Sequence, residues 1–302
     1  MIPTIYIFQL IYSIPSIIFY VIFIFKLGYQ IFFIPKSYFN NEYYPIIFYK
    51  GINDIVLLCN VYTTLLPPRW GILNNFYLDN QYLAIICYFI TGVCYTISFF
   101  ISSLLSFNIY IALCHPFNYS KWFKKRNVFI FLISIFIIGC LFGGVTVNAH
   151  PYYQKLQGFF GLSISFSKRR IGFSVLLYTL LIILPLALIS LILNIFAIKK
   201  FTQQIHANNI NSRKKNELIL YGIFSLILSL LCSGCFIARS VNFLTSKKIT
   251  VEIMAERVTP FIFDAQTLGL FGLNLFISQP LRKMMFGMVR IKSKPRIYPT
   301  PP

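Results

Sequence analysis

Seven long apolar runs limit what this chain can fold into more than any other feature of its sequence. A helix needs about 20 mostly apolar residues to cross the core of a bilayer, and each run reaches that length. The runs lack the alternation of transmembrane barrel strands. We therefore predict an all-α membrane protein, a seven-transmembrane helix bundle in one domain over residues 1–302 with a short basic tail at 279–302. The runs occupy residues 5–25, 43–66, 81–107, 128–147, 173–196, 218–244 and 258–278.

The composition excludes a soluble globular domain. Hydrophobic residues make up 57% of the chain and charged residues 11%, whereas about a quarter of a soluble domain is charged. A net charge of +20 can indicate either nucleic acid or a membrane surface as the partner. The Phe and Tyr residues lie along the apolar runs instead of between lysines and arginines, so they form no stacking platform for a single strand. We expect the lipid bilayer, and no nucleic acid, as the partner.

The basic residues are divided unequally between the two faces of the predicted bundle. The ends and loops on one face carry 17 of the 27 lysines and arginines and those on the other face carry 8, while Lys50 and Arg239 lie inside runs. Cytoplasmic loops are enriched in Lys and Arg, so we predict an outer N-terminus and a cytosolic C-terminus in the plasma membrane. The sequon at Asn118 then lies on the cytosolic face, where glycosylation does not occur.

Two stretches of the sequence resemble one family of receptors. The first is Gln9–Ser16, near the start of the first run. The second begins at Ser106, passes through Pro116 and continues as Asn118–Lys125, with a Trp-Phe-Lys-Lys group at its end. Both are similar to the nematode serpentine receptors of class gamma, a branch of the seven-helix chemoreceptors. The likeness covers the first four runs well and the last three mainly by hydropathy.

The resemblance implies a chemosensory receptor that binds a small, apolar molecule and signals to a heterotrimeric G protein. The family carries an Arg seven residues before the Pro, but this chain has Ile109 there, which lacks the charge that engages the G protein. This departure keeps open an alternative, a non-signalling membrane protein such as a degenerate receptor, a lipid carrier or a scaffold. The residues that we expect to contact the G protein are Asn108, Lys121, Lys124, Lys125, Arg126, Arg213, Lys214, Lys215 and Arg282.

Polar residues inside the second and seventh runs are candidates for a conformational switch. A charge inside a membrane helix costs about 2.5 to 3.5 kcal/mol on insertion scales, so it needs a partner. Asp54 follows Lys50 by four residues, which places both on one helix face where they can pair. Simple neutralisation is one interpretation of this pair. The other, implied by the resemblance, is a polar core of Asn53, Asp54, Asn60 and Asn274 that repacks between inactive and active states.

A second pair of charges lies near the outer ends of the last two runs. Counting 1.5 Å per residue places Arg239 and Asp264 at similar depths on neighbouring helices, so we predict a salt bridge beside an outward-facing pocket. Such a bridge serves either structure or ligand contact. The pocket wall is expected from an aromatic stripe at helical spacing in the third run, which is also compatible with helix packing alone. The stripe consists of Tyr88, Thr91, Tyr95 and Phe99.

The cysteines and histidines form no recognisable metal or catalytic pattern. All seven cysteines lie inside or at the ends of the runs, and the loop 148–172 contains none that could pair with Cys87, so we predict no disulfide there. Cys232 and Cys235 have CxxC spacing but lack a second ligand pair, and buried small side chains are the preferred interpretation. No P-loop, HExxH or GxSxG motif occurs. We predict no enzyme activity, no metal and no cofactor, and the oligomeric state stays open.

Overall fold

A computed structural model of the chain describes residues 4–34, 37–39, 41–148, 150–155, 161–166, 177–208, parts of 223–237 and 258–287. Most of these residues are helical, and an antiparallel hairpin joins β1 (Pro151–Lys155) to β2 (Leu162–Phe166). The helices are α1 (Thr4–Phe32), α2 (Tyr43–Asn60), α3 (Leu66–Arg69), α4 (Asn74–Asp79), α5 (Tyr82–Cys114), α6 (Pro116–Trp122), α7 (Lys125–Val147), α8 (Leu184–Asn208), α9 (Leu270–Ile277) and α10 (Gln279–Met285).

Three short π-helical segments interrupt or introduce these helices. Val61–Leu65 joins α2 to α3, Thr179–Ile183 leads into α8, and Ala265–Gly269 leads into α9. Residues 258–264 are helical as well, so 258–277 forms one continuous helix, called the seventh helix below.

Four of the described helices are long and apolar enough to cross a membrane. They are Ile7–Phe32, Tyr82–Cys114, Lys125–Val147 and Leu180–Lys200. Val258–Phe276 together with Gln279–Met285 makes a fifth candidate if that bent pair counts as one span. The second predicted run is helical from Tyr43 through Arg69, and the sixth lies largely outside the described residues, which hold only short helical pieces of it.

Several helices extend beyond the apolar runs that predict them. α1, α5 and α8 continue beyond the apolar runs to Phe32, Cys114 and Asn208. Hydropathy marks only the part of a helix that lies in hydrocarbon, whereas the backbone hydrogen bonds continue into the polar interface. The loop predicted at 148–172 contains the β1–β2 hairpin, which the hydropathy pattern did not indicate.

Helix α5 lies at the centre of the described bundle and packs against α2, α7 and α8. Helix α7 buries one narrow face, consisting of Val128, Ile135, Gly139 and Gly143. At Gly143 an added Cβ would lie 2.6 Å from Val93 Cγ2. Without a hydrophobic driving force inside the bilayer, helices associate through such close packing of small residues. The two glycines therefore set the distance between α5 and α7.

The π-helical segment between α2 and α3 is followed by two prolines. Within it the Leu66 N–H donates to the Val61 carbonyl, five residues back. Pro67 and Pro68 have no N–H, so the carbonyls of Thr63 and Thr64, four residues before them, lack their α-helical donors. Two backbone acceptors in this segment are thus left for side chains to fill.

The chain bends by 99° between the seventh helix and α10. The helix ends at Ile277, and Ser278 is extended and accepts a hydrogen bond from the Leu281 N–H at 3.5 Å. Pro280 lies in the first turn of α10, where its missing N–H costs nothing. α10 then turns back to α1, where Lys26 Nζ donates to the Met285 carbonyl at 2.8 Å. The tail predicted at 279–302 therefore begins with a packed helix.

Candidate functional site

Asp264 is the centre of a buried polar cluster that joins the first, second and seventh helices. Its side chain is 3% exposed. Gln9 Nε2 and the Tyr12 hydroxyl each donate to Oδ2 at 2.8 Å, and the Ser13 hydroxyl donates at 3.2 Å. The Tyr62 hydroxyl lies 3.3 Å from both carboxylate oxygens. Four donors thus stabilise a carboxylate that would otherwise be too costly to bury.

The salt bridge predicted for Asp264 stays a prediction, because Arg239 lies outside the described residues. Gln9, Tyr12 and Ser13, which hold the carboxylate, were missing from the predicted site. Their spacing of three and four residues on one face of α1 was the signal that could have revealed them. Gln9 is fully buried, and its Oε1 accepts no hydrogen bond from the described residues.

Lys50 and Asp54 form the buried ion pair that the sequence predicts. Lys50 Nζ contacts Asp54 Oδ2, and the Tyr20 hydroxyl of α1 donates to the same oxygen at 2.8 Å. Tyr20 in turn stacks on Phe271 of the seventh helix, with ring centroids 4.2 Å apart. The pair is therefore coupled by a hydrogen bond and a ring contact to two other helices.

The asparagines predicted to belong to a switch have different surroundings. Asn53 Nδ2 donates to the Cys94 carbonyl and to the Ser98 hydroxyl, both on α5. Asn60 Nδ2 donates to the Thr91 hydroxyl at 3.0 Å, also on α5. The side chain of Asn274 makes no hydrogen bond within the described part of the chain. Hydrogen bonding therefore ties Asn53 and Asn60 to α5 and leaves Asn274 apart.

The predicted aromatic stripe lies in the half of the bundle that contains Asp264 and the hairpin. Tyr95 and Phe99 are buried, and Tyr95 packs edge to face on Phe263, with centroids 4.9 Å apart. Phe263 directly precedes Asp264, so the stripe reaches the polar cluster along the seventh helix. Thr91 is occupied by hydrogen bonds to Asn60 and to its own helix.

The hairpin covers the end of this stripe at Tyr88. Phe166 of β2 packs edge to face on Tyr88, with centroids 4.7 Å apart. In β1 the Tyr153 N–H donates to Gln81 Oε1 at 2.7 Å, and the Tyr153 hydroxyl donates to the Thr64 carbonyl at 2.7 Å. Burial raises the pKa of Tyr153 further above physiological pH, where an ordinary tyrosine hydroxyl is already protonated and able to donate. Cys87 beneath the hairpin is a free thiol, so hydrogen bonds and ring packing hold the hairpin in place.

The opposite end of the bundle presents basic side chains. Lys121, Lys124, Lys125 and Arg126 are all exposed around the junction of α6 and α7. Asn127 stabilises this junction, because its amide donates to the carbonyls of Lys121 and Trp122.

Three further predictions concern this face. Asn108 is 3% exposed and its amide donates to the Tyr119 hydroxyl at 3.2 Å, so it positions α6 and does not present itself to a partner in this structure. Ile109 is half-buried and Arg282 lies on α10. The remaining predicted contacts, Arg213, Lys214 and Lys215, lie outside the described residues.

The comparison with protein families agrees with this arrangement. The model of the family described as serpentine type 7TM GPCR chemoreceptor Srv matches residues 8–290. The chain belongs to the Srv family of serpentine chemoreceptors. This confirms the resemblance to serpentine receptors, the seven-transmembrane helical bundle and the multi-pass membrane location. No curated protein matches the sequence.

In this serpentine receptor the motif residues of α1 have a structural explanation. The stretch Gln9–Ser16 contains the three donors that hold Asp264, whereas the stretch ending at Lys125 forms the α5–α6–α7 corner. The two stretches lie at opposite ends of the bundle.

Proposed function

We propose that this chemoreceptor binds a small, apolar molecule in its outer half and signals to a heterotrimeric G protein from its inner half. The observation that supports this most is the buried stripe of Tyr95 and Phe99 beneath the hairpin, adjoining Asp264. Small-molecule sites are mostly apolar, with a few placed polar groups, and this region has that chemistry. A ligand that separated Tyr95 from Phe263 would move the seventh helix, and so shift an equilibrium between two helix packings.

The inner half supports the second part of the proposal. We propose that residues 1–302 form one receptor domain in the plasma membrane. Its tail, from residue 279 onward, then faces the cytosol. The exposed cluster of Lys121, Lys124, Lys125 and Arg126 would attract an acidic surface of the G protein electrostatically. Because Ile109 supplies no charge, this cluster would carry the contact.

A ligand screen in cells with a calcium readout tests the proposal. Tyr95→Ala is expected to weaken the response to any active compound by roughly tenfold or more, the loss expected when a central aromatic anchor of a binding site is truncated. Ile97→Ala is the matched control, since Ile97 is equally buried on α5 but faces Gly139 of α7. Equal potency of both variants at equal surface amounts would contradict the proposed site.

Ile109 favours a second candidate, a protein with the receptor fold that does not signal. G-protein activation should be compared between the wild type and Ile109→Arg. A response of the wild type supports the first proposal, and a response of the variant alone supports a degenerate receptor. A response of neither favours a lipid carrier or a scaffold.

A further inference from the structure

A crevice of about 380 Å³ lies between α1 and the seventh helix, away from the candidate ligand site. Phe19 of α1 forms one wall, and Phe271 and Phe276 of the seventh helix form the other. Phe19 and Phe276 are 36% and 62% exposed. In a membrane-spanning bundle such apolar surface faces lipid, so hydrocarbon is the material that fills the crevice.

Gly272 creates much of this space. A Cβ added at Gly272 would meet no atom within 4 Å, whereas one added at Gly143 would overlap α5. Gly272 thus does not serve close helix packing. It leaves room on the lipid-facing side of the seventh helix, between the ring of Phe19 on α1 and the rings of Phe271 and Phe276 on the seventh helix.

The crevice ends at a basic group. Arg282 of α10 lines it, and its guanidinium makes no ion pair or hydrogen bond within the described residues. Lys26 lies at the same end, because its ammonium is bonded to the carbonyl of Met285, three residues from Arg282. No acidic residue follows Asp264 in the sequence, while basic residues recur from Arg282 onward. The Arg282 guanidinium is therefore available to an anion at this end of the crevice.

We propose that the crevice binds one anionic phospholipid, with an acyl chain between Phe19 and Phe271 and the phosphate against Arg282. Basic groups beside transmembrane helices recognise acidic lipid headgroups, and Arg matches phosphate in a bidentate geometry. The 99° bend before α10 places the cation at the end of the apolar crevice, so a single amphipathic molecule satisfies both features. None of the residues that line the crevice belongs to the ligand stripe or to the basic α6–α7 corner.

Native mass spectrometry of the full chain from nanodiscs with equal amounts of phosphatidylserine and phosphatidylcholine tests this proposal. The wild type should retain phosphatidylserine over phosphatidylcholine by roughly fivefold, the gain expected for one basic residue at an anionic headgroup. Arg282→Gln should still retain a lipid but lose the preference. Gly272→Leu, which fills the crevice, should retain less of both lipids.

Gly144→Leu is the matched control. Gly144 lies on α7, and a Cβ there also meets nothing within 4 Å, so the same substitution adds the same bulk elsewhere on the surface. Its lipid retention should equal that of the wild type. The proposal is overturned if the wild type shows no preference, or if Gly272→Leu and Gly144→Leu retain lipid equally. Arg282→Gln removes the headgroup contact and leaves the aromatic walls of the crevice unchanged, so it remains informative if Gly272→Leu folds poorly.

Discussion

The Tyr153 hydroxyl donates to the Thr64 carbonyl at 2.7 Å and thereby connects the β1–β2 hairpin to the π-helical segment between α2 and α3. The carbonyl is available because its α-helical donor would be residue 68, which is proline. The preceding carbonyl, of Thr63, has Pro67 in that position and accepts from the Tyr77 hydroxyl at 2.5 Å. Consecutive prolines thus create two acceptors, and two tyrosines from other segments fill them.

Tyr153→Phe is expected to loosen the hairpin. The substitution keeps the ring packing on Tyr77 but leaves the Thr64 carbonyl without this donor, at a cost of about 1 to 3 kcal/mol. Faster hydrogen exchange of the β1 amides measures this effect. Tyr152→Phe is the control, because the neighbouring hydroxyl donates only to Gln154 within the same strand. Equal exchange in both variants would show that the carbonyl bond does not hold the hairpin.

Gly143→Leu is expected to separate α7 from α5. The Cβ alone would lie 2.9 Å from the Phe89 carbonyl oxygen, so the helices must move apart, and overpacking typically costs about 1 to 3 kcal/mol. The measurement is the apparent melting temperature of the purified receptor. Gly144→Leu adds the same side chain at the adjacent open position and should melt like the wild type. A similar fall in both variants would contradict the close contact.

Local patterns in the sequence predicted the features that depend on a single helix. The length of the apolar runs indicates the membrane helices, and a spacing of four residues predicts the contact of Lys50 with Asp54. The hairpin clamp and the donors to Asp264 join segments far apart in the chain. Gln9 and Asp264 are 255 residues apart, so no local pattern pairs them. The two prolines do indicate free carbonyls, but which tyrosine fills them depends on the tertiary fold.

Lys50→Met is expected to destabilise the bundle strongly. Removing one partner of a buried ion pair leaves the other charge uncompensated, which costs about 3 to 5 kcal/mol. Adding Asp54→Asn should recover part of this loss, because the Tyr20 hydroxyl can still donate to the amide oxygen. Surface amount and apparent melting temperature measure both variants. No recovery in the double variant would show that Lys50 acts independently of Asp54.

The predicted orientation is tested at Asn118, which is exposed on α6 within the sequon Asn118-Tyr119-Ser120. If this face is cytosolic, glycosidase treatment leaves the mass of the expressed receptor unchanged. A tag added after Pro302 should then be stained only in permeabilised cells. A mass shift, or staining of the tag in intact cells, would show that the topology is inverted and that the basic α6–α7 corner lies outside.

Asp264→Ala is expected to lower the amount of receptor at the cell surface, because it leaves the buried donors Gln9 and Ser13 without their acceptor, at about 1 to 3 kcal/mol for each unsatisfied group. Asp79→Ala removes an exposed carboxylate and should have no effect. If Arg239 pairs with Asp264, Arg239→Ala is harmful as well, and the double alanine variant loses less than the sum of the two single losses. Strictly additive losses would contradict the salt bridge and would leave the four donors as the means of stabilising the carboxylate.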